Sequence, residues 1–395
     1  MSRPTIQLVE RRTRQIQLPR GDVAFLLTHA RHVVEIVPAF KRGVYRITPR
    51  GYVGWFDSPT RRFAIGPKIP WPNVQMLLGV PHASAGDVQP DAGLLNALAR
   101  EFASQLRAVS RIGLVAGYHD QDRISPFLRG KFRVAEQLRD AAARAFPDRF
   151  HITESVLDLD TPWNRIPRAV AEKLLANRNL GEHARIELRD ATISLDGVPV
   201  APIADADFAV AEVEPRASHY RPLLDLCRTL HDGFATARLG EGGSGAFLVD
   251  MGRAFERWLE RGLTDELATR PNWRVEPQRE FPVGPTVLQP DIVIRRRMKP
   301  LAVLDAKWKA PGLIPDASDL HQILAYAAVT GAKHVGLVYP GRRFARRSFR
   351  VPGSDITVSL LRVQVIGSVE EGRRSVKQLV RFVRRDGSRH GEIER

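Results

Sequence analysis

A single cysteine, Cys227, is the only thiol among 395 residues, so no internal disulfide can form and a zinc cage of Cys-x-x-Cys pairs is excluded. There is no His-Glu-x-x-His helix and no Gly-Lys-Ser/Thr phosphate loop, which removes zincin chemistry and a built-in nucleotide-hydrolysing motor. Ser244 lies in the glycine-rich stretch Gly240 to Gly245 with no strand-to-helix elbow around it, so the stretch reads as a flexible joint rather than a serine hydrolase site. No apolar run reaches the ~18 residues a membrane span needs, and the N-terminus is charged by residue 10, so a cytoplasmic protein without a secretory leader is expected. Cys227, within the apolar stretch Leu223 to Leu230, reads as a core thiol in a reducing compartment. Acidic residues are also short. With 44 Asp and Glu against 60 Lys and Arg, the formal charge is +16, and polyanions are attracted before any specific contact forms. Nucleic acid is the natural partner.

The basic excess is uneven. Arg342, Arg343, Arg346, Arg347 and Arg350 form one cluster, and Arg373, Arg374, Lys377, Arg381, Arg384, Arg385 and Arg389 crowd the C-terminal segment. The hydrophobic content of 43% is enough for real cores, and the length suits two or three domains. Three regions are expected along the chain. Residues 1–120 read as a small β-rich domain, a curled sheet or barrel, with strands at Val33 to Val37, Val44 to Thr48, Tyr52 to Phe56 and Arg62 to Ile65. A polar linker, Pro81 to Gly93, leads to a trailing helix striped by Leu94, Leu95, Leu98, Phe102, Leu106 and Val109. Residues 121–240 read as a mixed α/β middle region with helices at Pro167 to Leu180 and Tyr220 to His231. Residues 241–395 read as helix, three strands, helix and strand, an α/β sandwich followed by the basic segment.

The chemistry concentrates between Gln289 and Lys309. Gln289-Pro-Asp-Ile-Val-Ile and Leu301-Ala-Val-Leu-Asp-Ala-Lys are two apolar strands joined by the basic turn Arg295 to Lys299, which predicts a β-hairpin with Asp291 heading one strand and Asp305 ending the next. Lys307, two residues beyond Asp305, falls on the same strand face. Phosphodiester hydrolysis needs a hard cation, and Mg²⁺ or Mn²⁺ takes a few carboxylate oxygens while retaining waters. Asp291 and Asp305 would supply such oxygens, and the Lys307 charge would offset negative charge developing on phosphate. Upstream, Phe247 to Leu263 carries apolar residues at helical spacing and sets Glu256 at the edge of that face, a third candidate metal carboxylate. Downstream, Asp319 to Thr330 reads as a helix that presents Gln322 and Tyr326 one turn apart. His321 reads as an exposed helix residue.

In this order, a helix Glu, a strand Asp, a strand Asp-x-Lys and a helix Gln-x-x-x-Tyr resemble the PD-(D/E)xK nuclease superfamily. Further phrases widen the resemblance: Tyr45-Arg-Ile-Thr-Pro with Tyr52-Val-Gly, Ile65-Gly-Pro-Lys, Leu128-Arg-Gly-Lys, Asp160-Thr-Pro-Trp-Asn-Arg, Tyr220-Arg-Pro-Leu and Met251-Gly-Arg-Ala-Phe-Glu. Together with the Asp-x-Lys site they resemble the McrC family of the 5-methylcytosine-dependent McrBC restriction systems. That resemblance implies a C-terminal restriction-endonuclease-like fold, catalytic Asp291, Asp305, Lys307, Glu256, Gln322 and Tyr326, double-stranded modified DNA as substrate, and an AAA+ GTPase of the McrB type docked through the N-terminal region. Two other readings stand beside it: a stand-alone repair or recombination nuclease of the same superfamily, and a non-cutting DNA-binding regulator of a motor. Arg129 and Arg165 suit either salt bridges or DNA contacts.

Overall fold

The computed structural model describes residues 3–80, 93–146, 148–212, 215–236, 246–309 and 315–389. The glycine joint at 240–245 lies outside them, as does the linker apart from Gly93. The N-terminal segment runs β1 (Thr5–Val9), β2 (Arg14–Gln17), α1 (Arg20–Thr28), β3 (Val34–Pro38), β4 (Val44–Pro49), β5 (Tyr52–Asp57), β6 (Arg62–Gly66) and α2 (Trp71–Leu78). The four expected strands are present, but they belong to two sheets and not to one curled sheet or barrel: β2-β4-β3 is separate from the sheet containing β1-β6-β5. Pro49, the last residue of β4, has no N–H to extend the ladder, and the chain leaves for the second sheet across Arg50-Gly51. Ile6, Leu8, Ile47, Phe56, Phe63 and Ile65 from both sheets, with Leu26 of α1, share one core.

The middle of the chain runs α3 (Gly93–Ile112), β7 (Gly117–Ser125), β8 (Lys131–Phe132), α4 (Val134–Arg139), α5 (Ala141–Ala145), β9 (Phe150–Asp158), α6 (Pro162–Ala176), α7 (Glu182–Thr192), α8 (Asp205–Glu212) and α9 (Arg221–Thr236). The apolar stripe of α3 is buried at all six expected positions. Helix α6 begins five residues before the expected Pro167, at Pro162, where a first-turn proline has no donor to waste. Its first turn is pinned by a polar cluster. Tyr220 Oη donates to Asn164 Oδ1 at 2.7 Å and accepts from Val115 N at 3.2 Å, while Trp163 Nε1 donates to the Val115 carbonyl at 2.9 Å. Arg165 forks onto both carboxylate oxygens of Asp160, with Nη2 to Oδ2 at 2.6 Å, so its guanidinium serves a local salt bridge; Arg129 is exposed beside Phe127. Cys227 is a buried free thiol whose ionisation burial pushes well up.

The remainder runs β10 (Phe247–Asp250), α10 (Met251–Ala268), β11 (Trp273–Pro277), β12 (Phe281–Val283), β13 (Thr286–Leu288), β14 (Ile292–Arg296), β15 (Lys299–Ala306), α11 (Ala317–Thr330), β16 (His334–Gly341), β17 (Ala345–Arg350), β18 (Thr357–Gln364) and α12 (Val369–Arg389). A six-stranded mixed sheet has the order β11-β14-β15-β16-β18-β17, with β15, β16 and β18 parallel. The expected helix from Phe247 is corrected at its start. Phe247–Asp250 is a strand, antiparallel to β5, and the helix begins only at Met251, where Asp250 caps it by accepting from Gly252 N at 2.8 Å. The basic C-terminal segment forms α12, which buries Ser375, Val376, Leu379, Val380, Phe382 and Val383 while Arg373, Arg374, Lys377 and Arg381 stay exposed.

Residues 1–95 with 232–395 form one compact unit, and 96–231 another. The expected regions followed chain order; the β5–β10 pairing draws the first and last segments of the chain into one body. Gly54 makes the pairing possible. Its φ is +130°, and a Cβ there would stand 2.1 Å from the Phe247 carbonyl oxygen. Gly54→Ala should therefore cost about 3 kcal/mol, from backbone strain plus overpacking, read as a lowered urea midpoint at unchanged slope. No helix among the described residues is long and apolar enough to cross a membrane.

Candidate active site

The period of two along the hairpin sets the site. Val293 pairs with Val303, and Val303 with Val335, so these side chains share one face of the sheet; they pack with Ile323, Tyr326 and Ala327 of α11. Asp291, two residues before Val293, and Asp305 and Lys307, two and four after Val303, extend that same face toward one edge. The hairpin can carry these charges because the strand residues next to them are apolar, with Ile292, Val293 and Ile294 fully buried.

Asp291 Oδ2 accepts from the Ala306 backbone N at 2.7 Å, which ties the head of β14 to the end of β15. Lys307 Nζ lies 2.6 Å from Asp305 Oδ2 and donates to Gln322 Oε1 at 2.8 Å; Gln322 Nε2 in turn donates to Tyr326 Oη at 2.8 Å. The relay Asp305, Lys307, Gln322, Tyr326 is thus continuous. Glu256 of α10 arrives by another route: Gln278 Nε2 donates to Glu256 Oε1 and also approaches Asp291 Oδ1 at 3.3 Å. The structure therefore brings together all six residues expected from the sequence. His321 is exposed and has no place in the relay.

The electrostatics are those of crowded, buried acids. Desolvation pushes Asp291 up to about 6, with the Glu256 charge adding to it, and Asp305 is likewise pushed up to about 6 by desolvation and then by Asp291. Glu256 is raised as well, chiefly by burial. Lys307 opposes the shift at both aspartates. Burial also raises the Tyr326 hydroxyl, so it stays a neutral donor and acceptor.

Several participants carry no local sequence signal. Gln278 adopts φ +46°, unusual for a non-glycine residue, and this turns its amide between Glu256 and Asp291. Asp319, buried on α11, accepts from Lys309 Nζ at 2.6 Å and adds to the charge that raises Asp305. Trp308, directly after Lys307, is 5% exposed, and its Nε1 donates at 2.6 Å to Glu10, just past β1. Lys68, past β6, donates to the Trp308 carbonyl at 3.3 Å, holds its ammonium 4.3 Å from the indole centroid, and pairs with Glu10 at 3.5 Å.

The donor set suits a hard divalent cation. Its atoms are carboxylate oxygens, and acids raised first by burial and then by one another would be favoured in their charged form by a bound cation. Among the described residues no three His, Cys, Asp or Glu side chains close into a metal cage. The Gln278 amide stands between Glu256 and Asp291, so the three acids do not close on one point.

A family model described as McrBC 5-methylcytosine restriction system component matches residues 49–340. No curated protein matches this chain. Among solved structures, a refined half-complex from a tetradecameric assembly of Thermococcus gammatolerans McrB AAA+ hexamers with bound McrC is 20% identical, with 95% of this chain and 100% of that chain covered and a TM-score of 0.49. The cryo-EM structure of the Thermococcus gammatolerans McrBC complex is also 20% identical, covering 68% of this chain and 89% of that chain at a TM-score of 0.42. The family match runs from the end of β4 to within β16 and takes in the hairpin, Glu256 and the Gln322–Tyr326 helix, and on that match this chain belongs to the McrBC 5-methylcytosine restriction system component family.

Proposed function

We propose that this chain is the DNA-cutting subunit of a McrBC-type, modification-dependent restriction complex: a divalent-metal endonuclease with a restriction-endonuclease-like C-terminal region. The observation that carries the reading is the convergence of Asp291, Asp305 and Lys307 on one face at one sheet edge, with Lys307 2.6 Å from Asp305. Asp291 and Asp305 would hold Mg²⁺ or Mn²⁺, with Glu256 as a further carboxylate; the cation would supply Lewis-acid polarisation of the scissile phosphate. The chain's own groups do the rest. Lys307, fixed by Asp305 and Gln322, presents an ammonium where negative charge grows on phosphate, and Tyr326 holds the Gln322 amide so that its oxygen faces Lys307.

Membership of a restriction-system family and the absence of any phosphate loop support a division of labour in which an AAA+ GTPase of the McrB type moves DNA, docked through the N-terminal β region, and this chain cuts. Modified double-stranded DNA is the corresponding substrate. The test is nicking of methylated plasmid in Mg²⁺ or Mn²⁺, with and without the AAA+ protein encoded beside this gene. Lys307→Ala should slow cutting by about 10²–10³-fold, the usual effect of removing one group that stabilises transition-state charge. Cutting by the parent chain alone, unaffected by the neighbour, would instead favour a stand-alone nuclease. No cutting under either condition, with the neighbour's hydrolysis accelerated, would favour a regulator.

A further inference from the structure

At the opposite end of the hairpin from Asp291 and Asp305 lies a cavity of about 350 Å³, lined by Arg270, Asn272, Trp273, Arg296, Arg297 and Arg384. That volume is within the range of ligand-binding pockets. Four guanidiniums meet here. No carboxylate among the described residues pairs with Arg270, Arg296 or Arg297, whereas neighbouring Arg295 is satisfied by Glu276 at 2.8 Å. The Arg270 Nε is buried and has no acceptor among the described residues. Arg296 lies over the Trp273 ring, 5.8 Å from its centroid, which fixes the guanidinium and leaves its N–H groups for an anion.

The backbone is strained to build this. Arg297 and Met298, the tip of the β14–β15 hairpin, have φ +48° and +66°, and Asn272, whose carbonyl accepts from Arg297 N at 2.8 Å, has φ +68°. Two left-handed residues at a hairpin tip make the turn that Asn-Gly adopts freely. Here an arginine and a methionine hold it, a conformation that L side chains disfavour. A second line of charge leads to the same place: Arg374, Lys377, Arg381 and Arg384 recur every three or four residues along α12, one helix face about 15 Å long ending at the cavity. Lys377 is partly engaged by Glu266 at 3.5 Å.

We propose that this cavity is a backbone-phosphate site for DNA, with α12 as its approach, which grips the duplex away from the point of cutting. The proposal rests on the DNA-cutting reading. Guanidiniums bind phosphate oxygens two at a time, and side chains rather than a helix N-terminus or a glycine loop line the cavity, which suits a passing strand better than a free nucleotide. Asp291 and Arg296 are five residues apart on an extended strand, about 16 Å. That odd separation puts the two side chains on opposite faces of the sheet, so the gripped phosphate is not one that flanks the scissile bond.

The test is fluorescence anisotropy of the full chain with a labelled duplex in EDTA, where nothing is cut, titrated across salt. Two variants are used: Arg270→Gln, and a turn exchange combining Arg297→Asn with Met298→Gly. Each should weaken binding several-fold and flatten the slope of log affinity against log salt by about 0.9 per lost phosphate contact. The turn exchange should melt a few degrees above the parent, so its loss of binding cannot be unfolding. Unchanged slopes in both variants overturn the proposal. So does weakened binding that appears only where melting temperature falls. A third overturning result is GTP or ATP raising the parent's melting temperature but not that of Arg270→Gln while DNA slopes stay equal, which would make this a free-nucleotide site. The slopes are read in EDTA and need no cutting, so failure of the nuclease reading and failure of this one are separable.

Discussion

Asp305→Asn should give a chain that no longer cuts DNA yet melts at a higher temperature than the parent when divalent cations are chelated. The carboxylate is 1% exposed and stands among like charges from Asp291 and Asp319. Its folded pKa, about 6, lies above the ordinary 3.8, so the folded state disfavours the ionised form. The sign follows. Below the unfolded value both states are protonated and no penalty exists; as pH rises through the folded value the penalty becomes complete. Asparagine keeps the shape and removes the charge. The stability gained by the variant should thus be near zero at pH 4 and largest above pH 7, up to about 3 kcal/mol, since one pKa unit is about 1.4 kcal/mol. Thermal melts in EDTA across pH measure it. Mg²⁺ should raise the parent's melting temperature and leave the variant's unchanged, because a ligand stabilises only a state that binds it. A variant that melts below the parent at pH 8 in EDTA would mean that Asp305 is a structural partner of Lys307 and not a repelled ligand.

This opposition of stability and function also explains how much of the site could be read from the chain. Asp291, Asp305, Lys307, Gln322 and Tyr326 fall within 36 residues, on a hairpin and a helix whose periods of two and 3.6 fix which side chains face together. Local rules suffice for that. The Phe247 boundary failed because Phe-Leu-Val suits a helix or a buried strand equally, and what decided it was pairing with Tyr52 to Trp55, almost 200 residues upstream. Asp250 was the available signal, an N-cap residue placed just before Met251. Gln278 could not be found, because only a left-handed backbone brings its amide between two acids distant in sequence. Likewise the two phrases Tyr52-Val-Gly and Ile65-Gly-Pro-Lys carried resemblance without a reason. Gly54 admits β10, and Lys68 reaches Trp308.

That last contact predicts that the N-terminal sheets hold Lys307 in register. Trp308 follows Lys307, and three contacts fix it: its indole N–H to Glu10, its carbonyl to Lys68, and the Lys68 ammonium over its ring. Glu10 is 1% exposed, and its own pKa is raised by burial, with Lys68 pulling it back down. Lys68→Met leaves that carboxylate buried without its main countercharge, at a cost of about 3–5 kcal/mol for breaking such a pair. The loss depends on pH in a definite direction. Without Lys68 the Glu10 pKa in the folded state rises further above 4.5, so the variant should lie closest to the parent near pH 4–5 and fall away as pH rises and the folded state is forced to carry the charge. Cutting should drop by about 10²-fold, because a displacement of about 1 Å in a charge-stabilising group is enough for that. Adding Glu10→Gln to Lys68→Met removes both charges and keeps an oxygen for the Trp308 N–H. The double variant should recover most of the lost stability at pH 8 and part of the cutting rate. If Lys68→Met melts and cuts like the parent at pH 8, the N-terminal sheets do not position Lys307, and their role is confined to contacts with other molecules.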